Sequence, residues 1–361
     1  MGVSTDAGTP RPEGPARPPR RRVLVRVLVV VAVAAVLLVG SVTGLFLERQ
    51  RAYDRNIQRV PDAFPAESAR PARVPGRAQN WLLVGSDSRS AQATTGLDAN
   101  GPLWRYGAQR ADTIMLVHLP ADRGRIYVVS FPRDAWTPIQ GHGNAKLNAA
   151  FSFGGPPLLI ATVERLTGVR VDHFAILDFE GFKAMTDALG GVTVRVARTV
   201  RDPARKVVWP AGTQHLDGAR ALDFVRQRHN LPGGDLGRIK RQQAFLKALA
   251  GQAVDRGTLA NPLKLNAFLE ASTKAVSVDE SLTISRLRSL ALQFRSVRTR
   301  DIVFVTAPVA GTGTEGRQSV VYLDRTRGRR LYDALRTDAV AGYLAGADAK
   351  VNSGDLDDLG H

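Results

Sequence analysis

Two aspartates carry the most suggestive chemistry in this chain. Asp87 follows an apolar run in VGSDSR, and Asp112 opens another in QRADT. In an open sheet, ligands gather at strand ends. Two carboxylates there, with the Ser86 and Thr113 hydroxyls beside them, make an oxygen-only donor set suited to Mg²⁺ or Mn²⁺. Arg89, Arg110 and Arg133, the last in SFPRD, accompany them. Cations beside a metal site make sense only when something strongly anionic binds too, and a pyrophosphate bridged to Mg²⁺ satisfies both. From the residues alone the competing reading stays open: Asp87 as a turn residue, Asp112 as a surface carboxylate paired with Arg110.

A second segment adds more cations. Arg226 and Arg228 lie two apart in FVRQRHN, and Arg238 and Arg241 lie three apart on one face of the helical pattern that follows Gly233-Gly234-Asp235. Four guanidinium groups there could converge on one pocket, with a helix N-terminus adding donors for an anion. Phe224, Val225, Leu231 and Ile239 are interleaved with them, unlike a freely solvated charge run. Other chemistries are excluded or unsupported. The chain has no cysteine, which removes thiolate zinc sites, disulfides and a Cys nucleophile. It has no Walker A or GxSxG motif, and its six histidines show no metal-ligand spacing.

The elements that must hold these residues read as alternating strands and helices. WLLVGS (81–86), TIMLVHL (113–119), RIYVVSF (125–131), HFAILDF (173–179), VTVRV (192–196), DIVFVTA (301–307) and SVVYL (319–323) are short apolar runs with strand composition. Helical patterns cover 157–168, 179–191, 236–254, 282–294 and 330–336, with Asp235 as an N-cap and Gly190-Gly191 as a C-terminal stop. This predicts an α/β fold of α-β-α layering, a central mixed β-sheet flanked by helices, as one domain over 78–340.

The flanks read differently. Residues 1–22 form a basic, Pro- and Arg-rich tail, and the uncharged run Val27 to Phe46 puts a transmembrane helix at 23–46. Six arginines before that run, Arg11 to Arg26, predict a cytoplasmic N-terminus and a single-pass plasma-membrane protein with its folded part outside the cell. Residues 47–77, with four prolines, read as a stalk, and 341–361 as a loose tail.

The sequence resembles the LytR–CpsA–Psr family of envelope proteins. The matching stretches are WLLVGSDSR, RADTIMLVHL, VVSFPRDAW, KLNAAFSFGG (146–155), the run 163–194, GTQHLDGARALDFVRQR and GDLGRIKRQQ. The resemblance implies a phosphotransferase that moves a glycopolymer of teichoic acid, capsule or arabinogalactan type from a polyprenyl-pyrophosphate carrier to a peptidoglycan hydroxyl. It implies Mg²⁺ on Asp87 and Asp112. It implies phosphate contacts from Arg89, Arg110, Arg133, Lys146, Arg226, Arg228, Arg238 and Arg241, with Gln242 completing an RQ pair. Asp134 is the carboxylate to consider as the acceptor's base. The carrier tail calls for an apolar tunnel, and Leu158, Leu159, Ile160, Phe174, Ile176, Phe179 and Phe182 could supply part of it.

Three alternatives follow from the same residues: a non-catalytic polyprenyl-pyrophosphate binder, a pyrophosphate hydrolase, and a membrane-anchored transcriptional attenuator. The formal charge of +17, from 50 Lys+Arg against 33 Asp+Glu, first suggests nucleic acid. Its distribution argues otherwise, because much of it sits beside the apolar run and in 195–241. No nucleic-acid partner is expected.

Overall fold

The computed structural model describes residues 48, 57–73, 76–87, 94–95, 103–227, 235–255, 270–294, 296–346 and 351–352. The expected tail, membrane span and first part of the stalk fall outside these, apart from residue 48. Among the described residues no helix is long and apolar enough to cross a membrane.

Eight strands form the central sheet: β1 (Gln58–Val60), β2 (Gln79–Asp87), β3 (Arg110–Leu119), β4 (Ile126–Phe131), β5 (His173–Leu177), β6 (Val276–Asp279), β7 (Ile302–Thr306) and β8 (Val351–Asn352). Their order is β1-β6-β5-β2-β3-β4-β7-β8. The β1–β6, β2–β5 and β4–β7 pairs are parallel and the others antiparallel, so the sheet is mixed as expected.

Strand alternation divides the core between two faces. Leu82, Val84, Ile114, Leu116, Val129 and Phe131 pack with Leu147, Phe151, Leu159, Ile160 and Val163 of α1 (Leu147–Thr167) and with Leu331 of the later helix Arg325–Arg336. The residues between them, Leu83, Met115, Val117, Ile126 and Val128, turn to the other face, where Leu246 of Asp235–Asp255 meets them. That face also carries α2 (Phe179–Ala188) and α3 (Gly218–Arg226), packed with Asp235–Asp255, which is α4, and with the hairpin strand Val192–Val196 in a cluster around Trp209, Phe224 and Phe245. Further helices among the described residues include α5 (Ile284–Gln293), Arg325–Arg336 as α6, and α7 (Val340–Ala345).

Helix α1 begins ten residues before the expected start at 157. Gly154 and Gly155 interrupt it with non-helical backbone, and Pro156-Pro157 restart it. Proline suits the first turn of a helix, where no N–H is needed. Gly155 has φ +60, and a Cβ there would sit 3.0 Å from the Trp104 ring.

Two expected boundaries are corrected. The stalk does not extend to 77, because Ile57, Val60 and Ala63 are buried and β1 joins the sheet edge. Arg70 then pairs with buried Glu164 at 2.8 Å, and Arg170 reaches Glu67 at 2.7 Å. Four prolines masked a three-residue strand too short for an alternation signal. At the other end 341–361 is not loose throughout: α7 covers 340–345, and β8 pairs antiparallel with Phe304 and Val305.

Candidate functional site

The site grows from an irregularity between β2 and β3. Gly85 is opposite Thr113 and Ser86 is opposite Ala111, which leaves Asp112 as the extra residue of a β-bulge. Bulges twist a strand and re-aim its side chains. Gly85 suits this approach, since a Cβ on it would lie 3.0 Å from the Thr113 Cβ. Asp87, at the end of β2, and Asp112 consequently both line one cavity of about 660 Å³.

The cavity lies on the α4 face. Arg226, Arg238, Gln242 and Arg205 join the two aspartates as its polar lining, and Met115, Leu177, Phe182, Met185, Leu222 and Phe245 are among its apolar wall. Arg226 ends α3 with its Nη2 4.0 Å from Asp87 Oδ1 and its guanidinium 4.1 Å from the centroid of the Phe179 ring. Such stacking fixes a cation without using all of its donors. Arg238, in the first turn of α4, is only 2% exposed.

A second polar cluster continues from Asp112 onto the α1 side. Arg133 Nη1 donates to Asp112 Oδ1, and Arg133 Nε lies 3.6 Å from Asp134 Oδ2. Lys146, the N-cap of α1, holds Asp134 Oδ1 at 3.2 Å. Backbone bonds lock this corner: Leu147 N–H donates to Ala135 O at 2.8 Å and Asn148 N–H to Arg133 O at 3.0 Å. Asp112 is thus the member common to both clusters.

The other expected residues are distributed as follows. Arg110 is exposed, opposite Asp87 in the ladder, and is not part of the cavity lining. Arg241 is buried behind the cavity, with Nη1 donating to Gln227 Oε1 at 2.7 Å and its guanidinium 4.5 Å from the centroid of Phe224. Burial pulls its pKa down to about 10, opposed by the charge of Asp202. Arg89 and Arg228 lie outside the described residues, as do Gly233 and Gly234. Of the apolar residues expected to take a lipid tail, Ile176, Phe179 and Phe182 do line the cavity. Leu158, Leu159, Ile160 and Phe174 instead belong to the core on the α1 face.

Sequence reasoning missed several lining residues. Arg205 rises from a hairpin, held by Asp202 at 2.9 Å and Asp223 at 3.3 Å. Leu83 and Ala175 follow from β alternation with Gly85 and Leu177, a signal present in the sequence but unused. Asp178 is a third carboxylate in the wall, yet it caps α2 by accepting from Gly181 N–H and also accepts from Thr95 N–H.

Among the described residues no group of three or more His, Cys, Asp or Glu forms a cage for a metal. Two carboxylates on adjacent strands, facing one cavity with arginines, make a different donor set. It suits a hard cation that keeps water ligands and completes its shell from phosphate oxygens, as Mg²⁺ does. The residues present fit that ion.

Residues 56–336 match the LytR_cpsA_psr family, and the chain belongs to it. The probable cell wall biosynthesis protein LcpB of Corynebacterium glutamicum is 38% identical over 283 residues, 78% of this chain and 66% of LcpB. The chain therefore spans about two thirds of that relative's length. Among solved structures, the LytR-Csp2A-Psr enzyme from Actinomyces oris matches with a TM-score of 0.59 at 20% identity, over 78% of this chain and 96% of that one. TagT bound to LI-WTA matches with a TM-score of 0.58 at 22% identity, over 76% and 98%. At these identities the likeness to the two structures is one of fold.

Proposed function

We propose that this protein transfers a glycopolymer from a polyprenyl-pyrophosphate carrier to a peptidoglycan hydroxyl outside the plasma membrane, forming a phosphodiester and releasing polyprenyl phosphate. One observation carries the reading: Asp87 and Asp112 face Arg205, Arg226 and Arg238 along a cavity whose wall is mostly apolar. A ligand suited to it has a doubly anionic head and a long hydrocarbon body, which describes a lipid pyrophosphate. Family membership and the similarity to a cell wall biosynthesis protein support the same direction.

Phosphoryl transfer asks a protein mainly to position groups and offset charge. Arg226 and Arg238 neutralise the pyrophosphate, and the apolar wall takes the carrier. Asp87 and Asp112 would hold Mg²⁺, which when bound draws charge from the phosphate oxygens. Arg133 holds Asp112 in place. The acceptor oxygen attacks the phosphorus that bears the polymer, the bond to polyprenyl phosphate breaks, and Asp134 is assigned the acceptor's proton.

The test uses the full chain in nanodiscs with a lipid-linked polymer donor and peptidoglycan. Mg²⁺-dependent release of polyprenyl phosphate with equimolar phosphodiester on peptidoglycan is expected, and its loss in Asp112→Asn. Release of polyprenyl phosphate with the polymer left free in solution would instead establish a hydrolase. Tight donor binding with no release would establish a binder.

A further inference from the structure

The α1 side of the site carries a feature that the transfer chemistry does not use. Tyr106 is 70% exposed, one of two large hydrophobic side chains so displayed among the described residues. Its ring lies 6.3 Å from that of Phe153, centroid to centroid, and the Phe153 ring is stacked on His142 at 4.4 Å with planes 17° apart. Three aromatic rings from three elements thus form a row: the 103–109 loop, helix α1, and the turn of the hairpin 136–146.

The display is built. Gly107 N–H and Trp104 Nε1–H both donate to Ser152 O, at 2.9 and 3.2 Å. Arg105 N–H donates to Gln109 Oε1 at 2.7 Å, and Ser152 Oγ donates to Gln109 O. Trp104 packs against the core and the Gly155 backbone. The loop packs Trp104 partly into the core and is bonded at both ends, yet holds Tyr106 outward. His142 is presented likewise, between Gly141 at φ +78 and Gly143 at φ +68. Holding a large ring in water forgoes the stabilisation of burying it.

We propose that Tyr106, Phe153 and His142 form a saccharide-binding platform for the acceptor glycan strand. The proposal rests on the transfer reading above. The exposed ring of Tyr106 and the outer face of His142, whose inner face is stacked on Phe153, take the C–H faces of pyranoses, and both also offer polar edges. Arg105, next to Tyr106 in the chain, and Asn144, two residues from His142, are exposed and offer hydrogen-bonding groups for hydroxyl and acetamido substituents. The platform's place identifies which saccharide binds. Phe153 follows Lys146 by seven residues on α1, about 10 Å along the axis, and Lys146 holds Asp134. The cavity assigned to the lipid is on the opposite face of the sheet, with Asp112 and Arg133 between. A glycan on the platform leads its hydroxyl to Asp134 from the side away from the departing lipid phosphate, as in-line displacement requires.

The test is binding, read without turnover. The full chain in nanodiscs is titrated with soluble, peptide-free N-acetylglucosamine–N-acetylmuramic acid strands, with the delipidated donor polymer, and with the lipid-linked donor. The expected result is that the strands bind, that Tyr106→Ala and His142→Ala each weaken them about tenfold, and that Tyr106→Phe stays near wild type. Lipid-linked donor affinity should be unchanged in all three. Wild-type strand affinity in Tyr106→Ala would overturn the platform. Tyr106-dependent binding of the delipidated polymer in place of the strands would overturn the acceptor assignment. If the wild type binds the lipid-linked donor but no strands, the platform falls and the transfer reading stands. If it binds neither, both fall.

Discussion

The Arg133 guanidinium and the Asp112 carboxylate form one ion pair that belongs to two clusters, since Asp112 lines the lipid-sized cavity and Arg133 reaches Asp134 on the α1 side. Both side chains are mostly buried, at 12% and 17% exposure. Removing either leaves a partly desolvated charge behind, so each substitution should harm more than its own contact.

Asp112→Asn and Arg133→Met are therefore expected to reduce transfer by at least about 100-fold, the scale for losing one preorganised charge in a site. The double variant should be no worse than the poorer single one. Polyprenyl phosphate release from a fixed amount of lipid-linked donor measures this, and losses that simply multiply would separate the two residues.

The cavity gives a second prediction. Leu222→Trp narrows it and should raise KM for a long-chain donor several-fold, with little change in the affinity for inorganic pyrophosphate measured by calorimetry. An equal loss for both ligands would mean that the substitution disturbed the arginines.

Arg241 gives a third. Its pKa in the fold, about 10, lies below the ordinary arginine value because burial disfavours the cation. The stability linked to the neutral form is present only above the unfolded value and is lost as pH falls through about 10, so at neutral pH this charge opposes folding. Arg241→Met should leave the melting temperature unchanged or raise it. A nearby anion offsets the same cost, so pyrophosphate should raise the melting temperature of the wild type more than that of the variant.

His118 makes stability depend on pH. It is fully buried, 2.8 Å from both Asn80 Oδ1 and Asp338 Oδ1. Burial lowers its pKa below 6.5; Asp338 and Asp172 oppose that shift and Arg123 adds to it. Stability is then full above 6.5 and falls as pH drops through the folded value. Urea midpoints from about pH 8 to pH 5 should decline in the wild type and flatten in His118→Gln.

Gly155→Ala tests the kink in α1. The positive φ and the 3.0 Å approach to Trp104 should together cost about 1–3 kcal/mol. Thermal melts measure this, and because Trp104 anchors the loop beneath Tyr106, glycan affinity should fall as well.

How much of this could be read beforehand differs by element. The central strands were legible because buried strands are continuous apolar runs, and Asp87 and Asp112 because they end or open such runs. β1 and the short hairpins were not, since three or four residues carry no period. The first half of α1 was hidden because Gly154-Gly155-Pro156-Pro157 reads as an end to a helix. For Arg241 the residue type was legible but its depth was not: Arg238 and Arg241 share a helix face, yet only Arg238 meets the cavity. Leu159 and Ile160 were misassigned because an apolar run does not say which face of the sheet it will cover.

The bulge at Asp112 has a consequence for anyone re-engineering this fold. The cleft depends on a register error of one residue in the β2–β3 ladder. Removing Asp112 would restore regular pairing and could well strengthen the sheet, while erasing the carboxylate and the bend that aims it. On the proposed function, stability and activity pull in opposite directions at this position, so a library selected for heat resistance alone should drift toward straight, inactive ladders.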